Sequence, residues 1–434
     1  MIFERPHAGE SAVLVHLNFP PFYPEQADLP EFIELARSAG ANILQVLEGS
    51  RSVPDSKFFM GSGKVDELAA ICRETKAELV LVNHSLSPAQ ERNLEKVLQC
   101  RVLDRTGLIL DIFAKRAHTH EGKLQVELAQ LSYMSTRLVR GWTHLERQRG
   151  GAIGLTGPGE TQLELDRRLI KGGLKQIRKR LEKVRSQRQQ GRQSRQRSGI
   201  PMISLVGYTN AGKSSLFNRL TESTVYVKDK LFATLDPTFR QLHLPTVGKV
   251  ILADTVGFIR HLPHGLVEAF RATLEETVQA DILLHVIDAN DPQHDEYIEQ
   301  VNVVLAQIGA DEKPMIQVFN KIDLNPELLP AVQYNNDRKV ERVWLSAHTG
   351  TGIELLQAAL ATYLSDKIVH GLLTLAPNYA KLRAQLYQQQ CVEREQILEN
   401  GEWQLTVTIS LEMLQRLCDE AEVAVETIFV NHED

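Results

Sequence analysis

Over the first hundred residues, short apolar runs alternate with patterns of helical period. Residues 12–17, 42–47, 79–82 and 101–104 read as strands. Residues 30–39, 65–75 and 88–98 repeat apolar positions three and four apart and read as helices. Strand–helix alternation predicts a small, mostly parallel α/β domain, placed at 1–117. The pattern then changes. Leu124, Leu128 and Leu131 share one helix face. Further on, Ile170, Leu174, Ile177, Leu181 and Val184 step by four and three, as in a coiled-coil seam. Between them, residues 140–160 hold six glycines, at 141, 150, 151, 154, 157 and 159. The simplest arrangement over 118–200 is a two-helix hairpin with a glycine-rich tip and a linker. The Gly172-Gly173 pair is expected to weaken its second helix locally.

Residues 201–365 form a third segment, treated below with its motifs. Residues 366–434 give a strand at 370–374, a helix at 379–387 and strands at 392–398 and 403–409 around Asn400-Gly401, a strong turn signal. A helix at 411–418 and a strand at 425–430 follow. That βαββαβ order predicts a small ferredoxin-like α+β domain.

Charge sharpens the hairpin reading. The chain has 434 residues and a net charge of −6, but from 160 to 198 thirteen Lys or Arg face four Asp or Glu. A helix with that excess fits contact with phosphate backbones. Arg140, Trp142, Arg147 and Arg149 around the tip are the candidate RNA contacts. The competing reading is a solvated helix with a polar linker. Residues 366–434 carry five basic and twelve acidic residues, which argues against general nucleic-acid binding there. Hydrophobic content of 43% and charged content of 24% are those of a globular protein. No apolar run approaches the ~20 residues of a membrane span. The N-terminal stretch lacks the pattern of a signal peptide. The scattered Cys72, Cys100, Cys391 and Cys418 form no Cys-x-x-Cys pair and read as reduced thiols, so a cytoplasmic location is expected.

The chemistry is concentrated in Gly207-Tyr208-Thr209-Asn210-Ala211-Gly212-Lys213-Ser214-Ser215, which follows an apolar run at 202–206. The spacing is that of a phosphate-binding P-loop. Its amides would cradle phosphate oxygens, with Lys213 on the β- and γ-phosphates and the Ser214 hydroxyl on Mg²⁺. Gly61-Ser-Gly-Lys64 is not a second P-loop, because Phe58 stands where the first glycine belongs and Val65 where Ser or Thr belongs. Asn320-Lys321-Ile322-Asp323 points to guanine. The Asp323 carboxylate can accept from N1–H and the 2-amino group, donors that adenine lacks. Asn320 would brace the P-loop, and Lys321 would lie along the base. Ser346-Ala347-His348 is the second base contact, with the Ala347 amide donating to O6; His348 stands where Lys is usual. Asp254-Thr255-Val256-Gly257 would hold Mg²⁺ through water at Asp254 and offer the Gly257 N–H to the γ-phosphate. Phe232-Ala233-Thr234-Leu235-Asp236 reads as a switch loop, with Thr234 the second Mg²⁺ ligand and Thr238 its competitor. Phe258 occupies the position where many GTPases carry a water-orienting Gln, so hydrolysis by the chain alone should be slow. Asn210 either holds K⁺ near the α- and γ-phosphates or only shapes the loop.

Together these motifs resemble a translation-factor-class P-loop GTPase: a mostly parallel sheet with helices on both faces. The fuller resemblance is to the HflX family of bacterial GTPases, over nearly the whole chain. It rests on Gly207–Ser214, on Phe232-Ala-Thr-Leu-Asp-Pro-Thr238 and on Asp254-Thr-Val-Gly-Phe-Ile259. Gly61-Ser-Gly-Lys64 and, most distinctively, Gly154-Leu-Thr-Gly-Pro-Gly-Glu-Thr-Gln162 also match. The resemblance implies binding of GTP and GDP, catalysis centred on Lys213 and Gly257, and binding to the large ribosomal subunit. It further implies splitting of stalled ribosomes, notably after heat stress, with the hairpin tip reaching the peptidyl-transferase region. A monomer that associates peripherally with ribosomes is expected. A GTP-switched adaptor acting on a protease or its regulator is the competing reading.

Overall fold

The computed structural model describes residues 10–20, 28–141, 162–197, 200–221, 231–232, 234–245, 247–260, 274, 276–365, 368–389 and 391–431. The chain forms two compact units. The first comprises Met1–Val184, Val227–Asp236 and Val256–Leu274; the second comprises Arg185–Tyr226, Pro237–Thr255 and Glu275–Asp434.

In the first unit, β1 (Ser11–Asn18), β2 (Asn42–Ser50), β3 (Leu79–Val82) and β4 (Arg101–Asp104) form a parallel sheet in the order β2-β1-β3-β4. Helices α1 (Leu29–Ala39), α2 (Ser62–Thr75) and α3 (Pro88–Leu98) connect them, as the alternation predicts. Their ends follow from local chemistry. Asp28 caps α1, Gly40 closes it at φ +86°, and Ser87 with Gln90 forms a capping box on α3. Gly61 stands before α2 as an N-cap, consistent with its rejection as a phosphate loop.

Among the described residues of this unit, one helix escaped sequence reading. α4 (Arg105–Arg116) begins with no intervening turn, because Asp104 ends β4 and also caps α4 through the Gly107 N–H at 2.8 Å. Residues from Arg105 to Phe113 are all buried, so no amphipathic period marks the helix. α5 (His120–Gly141) and α6 (Gln162–Arg197) form the expected pair, with Leu124, Ile177 and Leu181 packed among Leu128, Leu131 and Val184. α6 runs unbroken through Gly172 and Gly173; a Cβ on Gly173 would press to 3.3 Å of Leu131 Cδ1. The Asp104 carboxylate also roots α5. It accepts from Tyr133 Oη at 2.6 Å and Arg137 at 2.6 Å, as well as from the Leu86 N–H at 3.1 Å. Burial lowers the Arg137 pKa to about 10, and burial followed by the Asp104 charge raises that of Tyr133; Arg137 also pairs with Glu91.

In the second unit, β5 (Met202–Val206), β6 (Thr238–Leu244), β7 (Gly248–Asp254), β8 (Ile282–Asp288), β9 (Met315–Asn320), β10 (Ala331–Tyr334) and β11 (Val340–Trp344) form one sheet. Its order is β10-β11-β9-β8-β5-β7-β6, parallel except for the β6–β7 and β10–β11 pairs. α7 (Lys213–Thr221) and α9 (Ile353–Ser365) supply Leu216, Phe217, Leu356 and Leu360 to the core against β5, β8 and β9; α8 (His294–Ile308) connects β8 to β9. The parallel order puts the β5 terminus in the middle of the sheet, next to those of β7 and β8, where loops converge at a topological switch point.

The C-terminal sheet has β12 (Ile368–Leu375), β13 (Val392–Ile397), β14 (Trp403–Ser410) and β15 (Phe429–Asn431) in the antiparallel order β13-β14-β12-β15. With α10 (Ala380–Gln388) and α11 (Leu411–Glu420), this is the expected βαββαβ arrangement. The strand expected at 425–430 is corrected. Val425–Ile428 is a helical turn, α12, and only then does the chain become extended. Val425 and Ile428 lie three apart and both pack on the core, a helical spacing that a short apolar run hides.

Candidate functional site

The loop after β5 is shaped by residues with positive φ. Gly207 (+142°) passes so close to β8 that a Cβ would sit 2.2 Å from the Val286 carbonyl. Gly212 (+94°) leaves the same 2.2 Å for Asn320 Nδ2, and Asn210 holds φ +62°. Tyr208 stacks on Tyr297 with centroids 4.1 Å apart, and Thr209 and Ala211 are buried. Lys213, 6% exposed, donates to the carbonyls of Gly207 at 3.0 Å and Tyr208 at 2.7 Å. Burial depresses its pKa to about 8, and the Asp254 charge pulls the other way. His285, on the neighbouring β8, is driven to about 3 by burial and then by Lys213, so it is neutral. Ser214 Oγ donates to Asp254 Oδ2 at 2.8 Å. A hydroxyl and a carboxylate oxygen side by side fit a hydrated Mg²⁺, which takes few protein ligands and keeps its waters. Ser215 lies in the first turn of α7, and the Thr255 hydroxyl is spent on the Leu205 carbonyl at 2.6 Å.

A second loop pair lies within the same unit. Asn320, 2% exposed, donates from Nδ2 to the Ala211 carbonyl and accepts at Oδ1 from the Ala347 N–H, both at 2.9 Å. The brace expected of Asn320 is therefore present. The Ala347 N–H, expected to serve guanine O6, is directed at Asn320 instead. Lys321, at φ +67°, pairs with Asp288 at 2.7 Å, and Asn290 donates to its carbonyl at 2.7 Å. Ile322 is buried beneath. Asp323 accepts from Ser346 Oγ at 2.5 Å, and Ser346 Oγ in turn accepts from the Thr349 N–H at 3.1 Å. The His348 side chain is 86% exposed, so no buried contact replaces the usual Lys there. Arg219 donates to the carbonyls of Ala347 and His348. Sequence reading missed Asp288, Arg219 and His285. Asp288 had a signal, a carboxylate closing the apolar run at 282–287; Arg219 and His285 had none.

The remaining motif residues fall in the first unit. Phe232 (φ +55°) is buried edge-on against Phe113, with centroids 4.5 Å apart, and the Leu231 N–H donates to Ser38 Oγ at 3.0 Å. Leu235 is buried and Thr234 half-buried. Asp236, expected at the nucleotide, accepts from the backbone N–H groups of His118 (3.0 Å) and Thr119 (2.9 Å) and from Thr119 Oγ1 (2.5 Å). Its carboxylate is thus committed to the start of α5. Val256 and Phe258 flank Gly257 and are buried. Ala233, Trp142, Arg147 and Arg149 lie outside the described residues, as does the Arg140 side chain.

A strand–glycine loop–helix with a buried lysine, a Ser–Asp oxygen pair and an Asn-Lys-x-Asp loop braced to it define a P-loop GTPase. Residues 26–114 match the family described as GTP-binding GTPase N-terminal, 116–195 its Middle Region, and 202–321 the 50S ribosome-binding GTPase family. The chain is 55% identical over 425 residues to GTPase HflX of Escherichia coli (strain K12), covering 98% of this chain and 99% of that relative. It is 50% identical over 335 residues to GTPase HflX of Magnetococcus marinus, covering 76% of each. A solved complex of SsGBP and GDP aligns at 27% identity and TM-score 0.48, over 82% of this chain and 99% of that one. The chain belongs to the GTPase HflX family, and it hydrolyses GTP.

Two outcomes follow from the geometry. Asp323→Asn swaps a double acceptor for an amide that mismatches guanine's two donors. GTP affinity should fall at least about tenfold while xanthosine triphosphate, with a carbonyl in place of the amine, binds better. Retained GTP preference in a competition titration would reject Asp323 as the base reader. If Lys213 holds phosphate it does so protonated, and bound phosphate then raises its pKa, so binding takes up a proton wherever free Lys213 has lost one. Affinity for fluorescent GDP should be level below the free-state value of about 8. Above it, affinity should fall by up to about tenfold per pH unit. A flat profile to pH 9.5 would contradict the depressed pKa.

Proposed function

We propose that this chain binds the large ribosomal subunit in its GTP state and splits stalled ribosomes, notably under heat stress, with the subunit stimulating hydrolysis. The supporting observation is the match of residues 202–321 to a 50S ribosome-binding GTPase family, which favours this reading over a protease adaptor. The exposed Arg167, Lys171, Lys175, Arg178, Lys179 and Lys183 of α6 add a basic face suited to phosphate backbones.

In this reading Asp323 selects guanine, and the loop amides with Lys213 and the Gly257 N–H stabilise charge on the transferring phosphoryl group. Ser214 and Thr234 would hold Mg²⁺, with Asp254 acting through water, and the ion would supply positive charge at the phosphates. Asn210 is suited to hold K⁺ beside them. Phe258 cannot orient water, so the ribosome completes the site. Arg140, Trp142, Arg147 and Arg149 contact RNA, and the protein acts as a cytoplasmic monomer.

Turnover should be slow for the protein alone and rise at least about tenfold with purified large subunits. Equal rates would sink the partner-completed mechanism. In the same assay, Na⁺ in place of K⁺ should slow turnover; an unchanged rate would remove the monovalent cation.

A further inference from the structure

Asp236 lies two residues after Thr234 and makes three hydrogen bonds at the N-terminus of α5. Thr119 is the hinge of this contact. Its Oγ1 accepts from the Gly122 N–H at 2.9 Å, closing the first turn of α5, while its proton goes to Asp236. Negative charge is favoured at a helix N-terminus, so the contact suits both partners. Gly122 makes the room: a Cβ there would stand 2.2 Å from Asp236 Oδ1. The adjoining residues are held as well, Phe232 on Phe113 and Leu231 on Ser38. The second switch segment is gripped separately. Arg105 is fixed by Glu31 at 2.5 Å and Asn83 at 2.9 Å, and it donates to the Arg260 carbonyl at 3.3 Å.

We propose that Asp236, Thr119 and Gly122 form a clamp that opposes recruitment of Thr234 to Mg²⁺·GTP and reports that recruitment to the root of the basic hairpin. The proposal rests on the reading of Thr234 as a Mg²⁺ ligand. Two residues of extended chain span at most about 7 Å, so Thr234 cannot be placed farther than that from Asp236 without carrying Asp236 off Thr119. The first turn of α5 then loses its carboxylate. The nucleotide state reaches the hairpin through α5 itself. Asp236 and Thr119 are positioning residues, acting on the site through Thr234.

The test uses the full chain with GDP or a non-hydrolysable GTP analogue, and reads hydrogen–deuterium exchange at residues 118–122 together with the two affinities. In the wild type, exchange at His118 and Thr119 should be faster with the analogue than with GDP. Thr119→Val removes the hydroxyl, and Gly122→Ala excludes the carboxylate while favouring the helix. The two variants push α5 stability in opposite directions, so a shared effect belongs to the clamp. Both should bind the analogue roughly threefold tighter, leave GDP affinity unchanged and lose the nucleotide dependence of exchange. Thr119→Ser should behave as wild type. Identical wild-type exchange with both nucleotides, or an unaltered affinity ratio in the two variants, would overturn the clamp. A wild type in which the clamp behaves as stated but whose turnover ignores large subunits would overturn the ribosomal reading alone.

Discussion

One buried amide side chain ties the nucleotide chemistry of the second unit together. Asn320 bonds the Ala211 carbonyl in the phosphate loop and the Ala347 N–H in the last base loop, while its own backbone ends β9. The loops that carry Ala211, Asn320 and Ala347 come from three distant stretches of chain, and this residue sets their spacing. The glycine requirement at 212 follows from it, since any Cβ there would meet Asn320 Nδ2. Lys213 is buried in the same loop, donating to the carbonyls of Gly207 and Tyr208, and Gly207 itself passes close to the Val286 carbonyl. A buried lysine with a depressed pKa is held ready for an anion that restores its full charge.

The first unit is organised by carboxylates rather than by a glycine loop. Asp104 ends a strand, starts a helix and anchors Tyr133 and Arg137 of α5. Asp236 repeats that logic from the switch segment, on the backbone N–H groups of His118 and Thr119 between α4 and α5. The hairpin is therefore rooted at two places by groups that need their charge.

Much of this was legible in the sequence, for reasons that can be named. Residues 79–82, 88–98 and 101–104 were bounded correctly because short β-branched runs and a Ser-Pro-x-Gln helix start carry strong local signals. The Leu124 and Ile177 faces met as their periodicity required. α4 was invisible because a helix buried all round has no polar face and Asp104 left no turn before it. The strand at 425–430 was misread because four residues cannot display a helical period. The Asp236 partner lies more than a hundred residues away, so no local pattern could reveal it. Likewise, the Ala347 N–H was assigned from its motif, whereas its partner depends on where Asn320 folds.

We infer that the GTP state of this site acts on whole ribosomes. The most direct test is a sucrose-gradient profile of intact ribosomes incubated with the protein and either GDP or a non-hydrolysable GTP analogue. Whole ribosomes should convert to free subunits with the analogue, with the protein sedimenting on the large subunit, and the profile should be unchanged with GDP. Whole ribosomes that persist with both nucleotides, or split equally with both, would contradict the inference.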